Sequence, residues 1–191
     1  MAKKIQMPSK VRLMSHPEYN IVCRVFAGTI PYRVRIFITD AAGEDGRPFT
    51  IPTSLLPTIL GMTEGAFFGG VPGALGGAAG GYIGSFINLA YLINAGDAYD
   101  SLTGKDRDTL VHETTHVWQG KNSTFALSYV FNSVYNQCVL RNAYAYTPNQ
   151  PWKSYNVEQQ ASIVEDWYMA GESTSSNLYH YITDNVRKGD A

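Results

Sequence analysis

The sequence predicts an α+β domain in which a small, mostly antiparallel N-terminal sheet is followed by a helical half. The first observation is that Val34, Ile36 and Ile38 alternate with their neighbours at a period of two, which is typical of a half-buried strand. The second is a series of capped helical patterns that begins near Thr103. Because the strands come first and the helices follow, the order favours an α+β domain over a doubly wound one.

Length and charge restrict the number of domains and the class of partner. The chain has 191 residues, with 15 basic and 16 acidic side chains and a formal net charge of −1, and we expect a single domain over 1–191. Nucleic acid binds proteins that carry a basic excess, so we expect no nucleic-acid partner. The two cysteines, Cys23 and Cys138, cannot form a disulfide framework, and they favour a reduced compartment.

The first residues of the chain do not resemble a Sec signal peptide. Lys3 and Lys4 are basic, but the residues from Ile5 to Ser9 do not continue into an apolar run. We therefore expect a protein that is made in the cytoplasm and that, if it leaves the cell, uses a non-Sec route.

Extended segments are predicted in the first half of the chain. The stretch from Tyr19 to Asp40 is predicted to form two strands, separated by a turn from Gly28 to Pro31. The segment from Pro48 to Pro52 is bounded by prolines, which cannot donate to a strand ladder, so it is expected at a sheet edge. Residues 86–94 are apolar enough to form a buried strand or a helix.

A glycine-rich apolar insertion is predicted over 53–90. Within it, glycines recur at every fourth position from Gly65 to Gly81, and a second ridge ends at Gly84. Such a pattern is typical of closely packed membrane helices, whereas Pro72 and the many glycines disfavour a single helix. Three alternatives stay open for Gly65 to Gly84: a hairpin or loop packed on the domain's own surface, membrane contact, and self-association.

Helical patterns occupy the rest of the chain. Thr103 with Asp106 resembles a capping box, and the helix that follows is expected to end at Gln119, before Gly120. A second helix is predicted from Phe125 to Cys138 on its apolar spacing.

Two further helices are predicted after the prolines at 148 and 151. Asn156 and Gln159 form a capping pair for the first of them. The other is expected to follow Ser176.

The helix after Thr103 carries an H-E-x-x-H arrangement in His112, Glu113 and His116. Residues four apart share one helix face, so both imidazoles can bind a single zinc ion. Zinc lowers the pKa of a bound water toward about 7, and Glu113 is placed to take a proton from that water. The alternative is a pair of solvated histidines on an ordinary helix.

The third ligand must come from outside this motif. Asn122 stands where a metzincin would have its third histidine, so His16, His180 or a carboxylate must complete the usual set of three. We prefer Glu158, because it lies in the first turn of the helix capped by Asn156, which could present it opposite the histidine pair.

Other side chains on this helix and nearby have possible supporting roles. Glu165 lies seven residues after Glu158, roughly 10 Å along the same face, so only one of the two should bind the metal. Ser162 could support an imidazole, and Asp166 either does the same or is solvated. A tetrahedral oxyanion needs a further donor, and the candidates are Tyr155, Tyr168, Tyr179, His180 and Tyr181.

The stretch from Thr109 to Gln119 resembles the gluzincin-like zinc metallopeptidase domains associated with bacterial contractile injection systems and polymorphic toxins. The shared features are the histidine-glutamate helix followed by Gln119, the Tyr-Asp-Ser-Leu approach at 99–102 and the Glu-Gln-Gln-Ala block at 158–161. The likeness covers roughly Tyr91 to Tyr168. It implies a zincin-like fold with one zinc ion and with Glu158 as the third ligand.

The function expected from these patterns is that of a zinc-dependent endopeptidase. The resemblance adds a use as a bacterial effector or toxin, with a protein or peptide substrate and with a secretion-system partner or an immunity protein. The alternative is a membrane-active or scaffolding module of a secretion or injection system whose zinc site is structural or vestigial.

Overall fold

The computed structural model describes residues 7–30, 34–43, 46–53, 90–123 and 143–191, and these form an α+β fold, as predicted. Their strands are β1 (Val11–Leu13), β2 (Arg35–Thr39), β3 (Phe49–Pro52) and β4 (Ala90–Asn94). Their α-helices are α1 (His16–Phe26), α2 (Arg107–Asn122), α3 (Val157–Met169) and α4 (Tyr179–Asp184).

The four strands form one mixed sheet in the order β1-β2-β4-β3. The ladders β1–β2 and β3–β4 are antiparallel, and β2–β4 is parallel. Strand β3 lies at an edge of this order, as its flanking prolines predict. Its last residue, Pro52, is opposite Tyr91, and the Thr53 hydroxyl donates to the Ala90 carbonyl at 3.3 Å, so the chain leaves and re-enters the sheet at neighbouring positions.

The predicted strand at the start of the Tyr19–Asp40 stretch is wrong, because His16–Phe26 is helix α1. A capping box begins the helix, with Ser15 as the N-cap and Glu18 as its partner. The apolar residues in this segment lie at 21, 22, 25 and 26, and this helical spacing buries one face. The β-branched residues Ile21 and Val22 favour strands only where no such face is available.

Helix α2 is the most enclosed helix in the part of the chain that the structure describes, and it contacts α1, α3, β3 and β4. Its buried threonines do not lack partners, since the Thr114 and Thr115 hydroxyls donate to carbonyls one turn back, at 2.6 and 2.8 Å. The Trp118 indole N–H donates to the Val186 carbonyl at 3.0 Å. The helix that carries the H-E-x-x-H motif is therefore held on several sides.

The ends of α2 differ from the prediction. The helix begins at Arg107, and Asp106 is its N-cap without a side-chain hydrogen bond, so the capping box expected from Thr103 does not form. It continues through Gly120 to Asn122. The Asn122 amide donates to the carbonyls of Trp118 and Thr29, at 2.9 and 3.1 Å, and these bonds stabilise the extra turn.

Helix α3 begins as predicted. The Asn156 side chain accepts from the Gln159 backbone N–H at 2.9 Å, and the Gln159 side chain accepts from the Asn156 N–H at 3.0 Å. The predicted helix after Ser176 corresponds to α4, which begins at Tyr179.

Two predicted features lie outside the described residues: the helix from Phe125 to Cys138 and the glycine ridge from Gly65 to Gly84. In the ranges that are described, no helix combines the length and the apolar character needed to cross a bilayer.

A buried ion pair joins β1, α1 and the loop before α2. Glu18 is 1% exposed, and its two oxygens each accept from the Arg12 guanidinium at 2.7 Å. The same carboxylate accepts from the Leu102 backbone N–H at 3.0 Å. Burial alone would raise the pKa of Glu18, but the hydrogen bonds from Arg12 and Ser15 outweigh it and lower the pKa to about 2.

We expect Glu18→Gln to lower the free energy of unfolding by about 3 kcal/mol at pH 7, because it leaves Arg12 without its buried partner. The folded-state pKa of Glu18 lies below the unfolded one. Its charge therefore stabilises the fold above about pH 4.5 and stops doing so as the pH falls toward 2. Urea unfolding of both proteins at pH 7 and pH 3 measures the difference, which should narrow at pH 3.

The matched control is Glu172→Gln. Glu172 pairs with Arg24 at 3.0 Å on the surface, so its loss should change stability by less than about 1 kcal/mol. Equal effects of the two substitutions would contradict the role of Glu18.

Candidate metal centre

The packing of α2 against α3 brings together three side chains that can hold a metal ion. His112 and His116 lie one turn apart on α2, and Glu158 lies in the first turn of α3. One ligand atom from each lies within 4.8 Å of the others. The Nε2 atoms of His112 and His116 lie 3.2 and 3.4 Å from Glu158 Oε2.

The outer nitrogen of each imidazole faces an oxygen acceptor. His112 Nδ1 is 2.8 Å from Glu165 Oε2, and His116 Nδ1 is 2.8 Å from Gln119 Oε1. Since these oxygens only accept, we assign a proton to each Nδ1. Both Nε2 atoms then direct lone pairs toward the Glu158 carboxylate.

This donor set fits a divalent cation. Two nitrogen lone pairs and a carboxylate oxygen cannot face one another in a buried site unless a proton or a metal lies between them. His116 is 4% exposed and Glu158 is 1% exposed. Two imidazoles and one carboxylate form a known ligand set of catalytic zinc, in which the protein supplies three ligands.

In the metal-free chain, protons take the place of the cation. Burial lowers the pKa of His112, but hydrogen bonds to Glu158 and Glu165 outweigh burial and raise that pKa to about 10. The pKa of His116 is also raised, because the charge of Glu158 outweighs the effect of burial. The pKa of Glu158 is lowered, since the neighbouring histidines outweigh its burial.

Glu113 lies beside this group and is held by the sheet. It is 5% exposed, and its Oε2 accepts from the Thr50 hydroxyl of β3 at 2.7 Å. Burial raises the pKa of Glu113. Edge strand β3 therefore positions the carboxylate that the motif predicts as a proton acceptor.

A cleft of about 410 Å³ opens beside the histidines. Its lining includes Arg47, His112, Glu113, Tyr144, Ser162 and Glu165. Glu113 and the exposed side of His112 therefore face this cleft.

The structure separates the roles of the two glutamates that the sequence offers as third ligand. Glu158 faces the Nε2 atoms of both histidines, whereas Glu165 contacts the Nδ1 atom of His112. The two carboxylates therefore approach His112 at opposite nitrogens. In this arrangement, Glu165 orients the ring.

Several other predicted residues do not line the cleft. Tyr155 donates to the Thr147 carbonyl at 2.7 Å, and Asp166 accepts from Tyr146 at 2.7 Å. The His180 ring packs 3.8 Å from that of Tyr181. Neither His180 nor His16 belongs to the metal-binding group found among the described residues. The remaining tyrosine candidates also have other contacts. The Tyr168 hydroxyl accepts from Arg24 Nη2 at 3.5 Å, and the Tyr179 ring stacks on that of Trp167.

Tyr144 is a cleft residue that the sequence did not indicate. Its ring centroid lies 5.8 Å from that of His112, and burial is the main cause that raises its pKa to about 12. The hydroxyl therefore keeps its proton at neutral pH. Tyr144 lies in the irregular segment before α3, where no periodic pattern marks it. Thr50 was missed for a similar reason, because one threonine in a short strand carries no signal.

Part of this sequence is similar to a stretch of a known protein. An 85-residue stretch is 32% identical to the type VI secretion system spike protein VgrG2b of Pseudomonas aeruginosa. The match covers 41% of this chain and 8% of that protein, so the matched stretch spans less than a tenth of the length of the relative. No family model matches the chain, and no solved structure matches it significantly.

We expect the chain to bind one zinc ion, with an affinity that falls as the pH is lowered. The raised pKa values of His112 and His116 mean that zinc must displace protons when it binds. For each proton displaced, the affinity for zinc falls about tenfold when the pH is lowered by one unit. Glu158→Gln should also weaken binding, because it removes the anionic ligand. Chelator competition between pH 6 and 8.5 measures both effects.

Asp166→Asn is the control, because Asp166 lies on the same helix and bonds Tyr146 instead of a histidine. An affinity that is independent of pH, or an equal loss in the two variants, would contradict this assignment of ligands.

Proposed function

We propose that this chain is a zinc-dependent endopeptidase that acts as a bacterial effector or toxin of a secretion or injection system. The observation that carries the proposal is the approach of His112 Nε2 and His116 Nε2 to Glu158, with Glu113 buried beside them and a cleft alongside. Among the described residues, three side chains of this group are able to hold a metal ion. Three protein ligands are typical of a catalytic zinc site, whereas a structural site usually has four.

Zinc, when bound, supplies a Lewis acid that polarises the scissile carbonyl and acidifies a water molecule. Glu113 accepts the proton of the attacking water and returns it to the nitrogen of the leaving amine. The Thr50 hydroxyl holds Oε2 of this carboxylate, so Oε1 is the oxygen that takes the proton. Burial raises the pKa of Glu113. This helps Glu113 to keep the proton after it leaves the water and before it reaches the leaving amine.

Tyr144 donates a hydrogen bond to the oxyanion that develops on the carbonyl oxygen. Its ring is near His112 and it lines the cleft. Because its pKa is about 12, the donor proton is present at working pH. A donor that the fold holds in place stabilises such a charge because it does not have to reorient during the reaction.

The position of strand β3 favours a peptide as substrate. In the described sheet, β3 pairs with β4 along one edge only. Its residue Thr50 contacts the buried Glu113, so this strand passes beside the reacting groups. An extended peptide binds to an open strand edge through its backbone, which suits cleavage in the middle of a chain.

The secretion-system association rests on the relative's name. VgrG2b is a spike protein of a type VI secretion system, and this chain shares a partial stretch with it. A non-Sec export route agrees with that association. The partners proposed are a component of the secretion system, a protein or peptide substrate, and an immunity protein.

We expect Glu113→Gln to lower kcat/KM for peptide cleavage by 10²–10⁴-fold, which is the usual contribution of a general base. Zinc content should not change, because Glu113 is not one of the three grouped ligands. The measurement uses the full chain with one equivalent of zinc and peptides blocked at both ends, with mass spectrometry of the products. Equal rates for the two proteins, at equal zinc content, would eliminate this mechanism.

Tyr144→Phe should lower kcat about 10²-fold with little change in KM, since the hydroxyl acts mainly on the transition state. Tyr146→Phe is the matched control, because its hydroxyl bonds the exposed Asp166 and it does not line the cleft. A similar loss in both variants would point to a shared effect on the loop and would contradict the donor role of Tyr144.

A further inference from the structure

We infer that Gln119 is a positioning residue that fixes the proton of His116 on Nδ1 and so commits Nε2 to the metal. The inference rests on the metal centre of the proposed function and assigns a role to a residue outside its ligand set. Gln119 is 2% exposed on α2, and it lies between His116 and the start of α3.

The orientation of the Gln119 amide is set by a backbone carbonyl. Its Nε2 donates to the Val157 carbonyl at 2.9 Å and to Gln160 Oε1 at 3.0 Å. A carbonyl can only accept a hydrogen bond, so the atom facing Val157 must be the nitrogen. The oxygen of the amide therefore faces His116 Nδ1, at 2.8 Å.

A second backbone carbonyl orients the next amide. Gln160, 7% exposed, donates from Nε2 to the Trp152 carbonyl at 3.3 Å. Its own oxygen therefore faces Gln119, as the bond between the two side chains requires. A reversed Gln119 would oppose its oxygen to the Val157 carbonyl and its N–H groups to His116, leaving buried groups without partners.

The two amides together form a chain of hydrogen bonds that ends on the His116 imidazole. Because Gln119 Oε1 only accepts, His116 Nδ1 must donate, and the lone pair lies on Nε2, which faces Glu158. An imidazole whose outer N–H is held in this way has a fixed ring and a fixed tautomer. The second histidine is therefore oriented by the start of α3, the same turn that supplies Glu158.

The supports of the two histidines differ in charge. His112 Nδ1 faces Glu165, whose side chain is 28% exposed, whereas His116 Nδ1 faces a neutral amide that is almost fully buried. An amide cannot change its protonation state in the physiological range. The support of His116 Nδ1 therefore keeps the same charge across that range, and it adds no negative charge to the ligand set.

The test compares zinc affinity with stability in three variants. Gln119→Leu removes the acceptor, and its affinity should fall 10–100-fold, the usual loss when such a partner is removed. Gln119→Glu keeps an oxygen that accepts from His116 Nδ1, so its zinc affinity should stay within about threefold of wild type. It loses both hydrogen bonds that Gln119 donates, to the Val157 carbonyl and to Gln160, so its thermal stability should fall. Asn122→Leu, the matched control one turn later on α2, removes bonds to Trp118 and Thr29 and should lower stability alone.

A purely structural Gln119 predicts a different ranking. Affinity would then follow stability, and Gln119→Glu would lose as much zinc as Gln119→Leu. That result overturns the inference, as does an unchanged affinity in Gln119→Leu. If Gln119→Leu does not fold, Gln160→Met replaces it. A loss of zinc affinity in that variant supports the positioning role of Gln119, and wild-type zinc affinity overturns it.

Nuclear magnetic resonance of the ¹⁵N-labelled, zinc-loaded protein gives a second readout. The proton on His116 Nδ1 should exchange slowly with solvent in wild type and in Gln119→Glu, and rapidly in Gln119→Leu. Slow exchange in all three overturns the inference. A wild-type chain that binds no zinc would instead refute the metal centre itself, so the two failures are distinguishable.

Discussion

The contact between α2 and α3 is the constraint on which the rest of the site depends. It buries the carboxylate of Glu158 against two imidazoles that the sequence places one helical turn apart. A buried charge of this kind is costly unless it is paired, and the imidazoles provide the pairing whether they carry protons or a cation. The helices must therefore stay in register, because a shift of one residue would remove the carboxylate from the histidines.

The seam between these helices is polar, yet its described groups are partnered. Glu165 and Gln119 contact the Nδ1 atoms of the two histidines, and the Thr50 hydroxyl donates to one oxygen of Glu113. Elements of three kinds contribute: the motif helix, the helix facing it and an edge strand. Buried polar networks that are fully satisfied specify one arrangement, because each alternative leaves a group unpaired.

Sequence reasoning located the centre of this site better than its surroundings. The histidine pair follows from helical spacing, and the position of Glu158 follows from the Asn156 cap, which fixes where α3 begins. Tyr144 and Thr50 could not be found in this way, since their approach depends on a loop and a sheet edge. The strand predicted near Tyr19 failed because Ile21 and Val22 suggest strand by type, while the spacing of the buried residues is helical.

The contact between Thr53 and Ala90 closes one end of the β3–β4 ladder. The two residues are joined by a hydrogen bond at the end of the β3–β4 ladder, so the sheet is closed there as it would be by a tight hairpin. The entropy of closing a loop rises only slowly with its length, by about 0.6 kcal/mol for each doubling. The length of the segment 54–89 can therefore change at little cost to the closure of this ladder, which makes the junction a natural point for diversification among related chains.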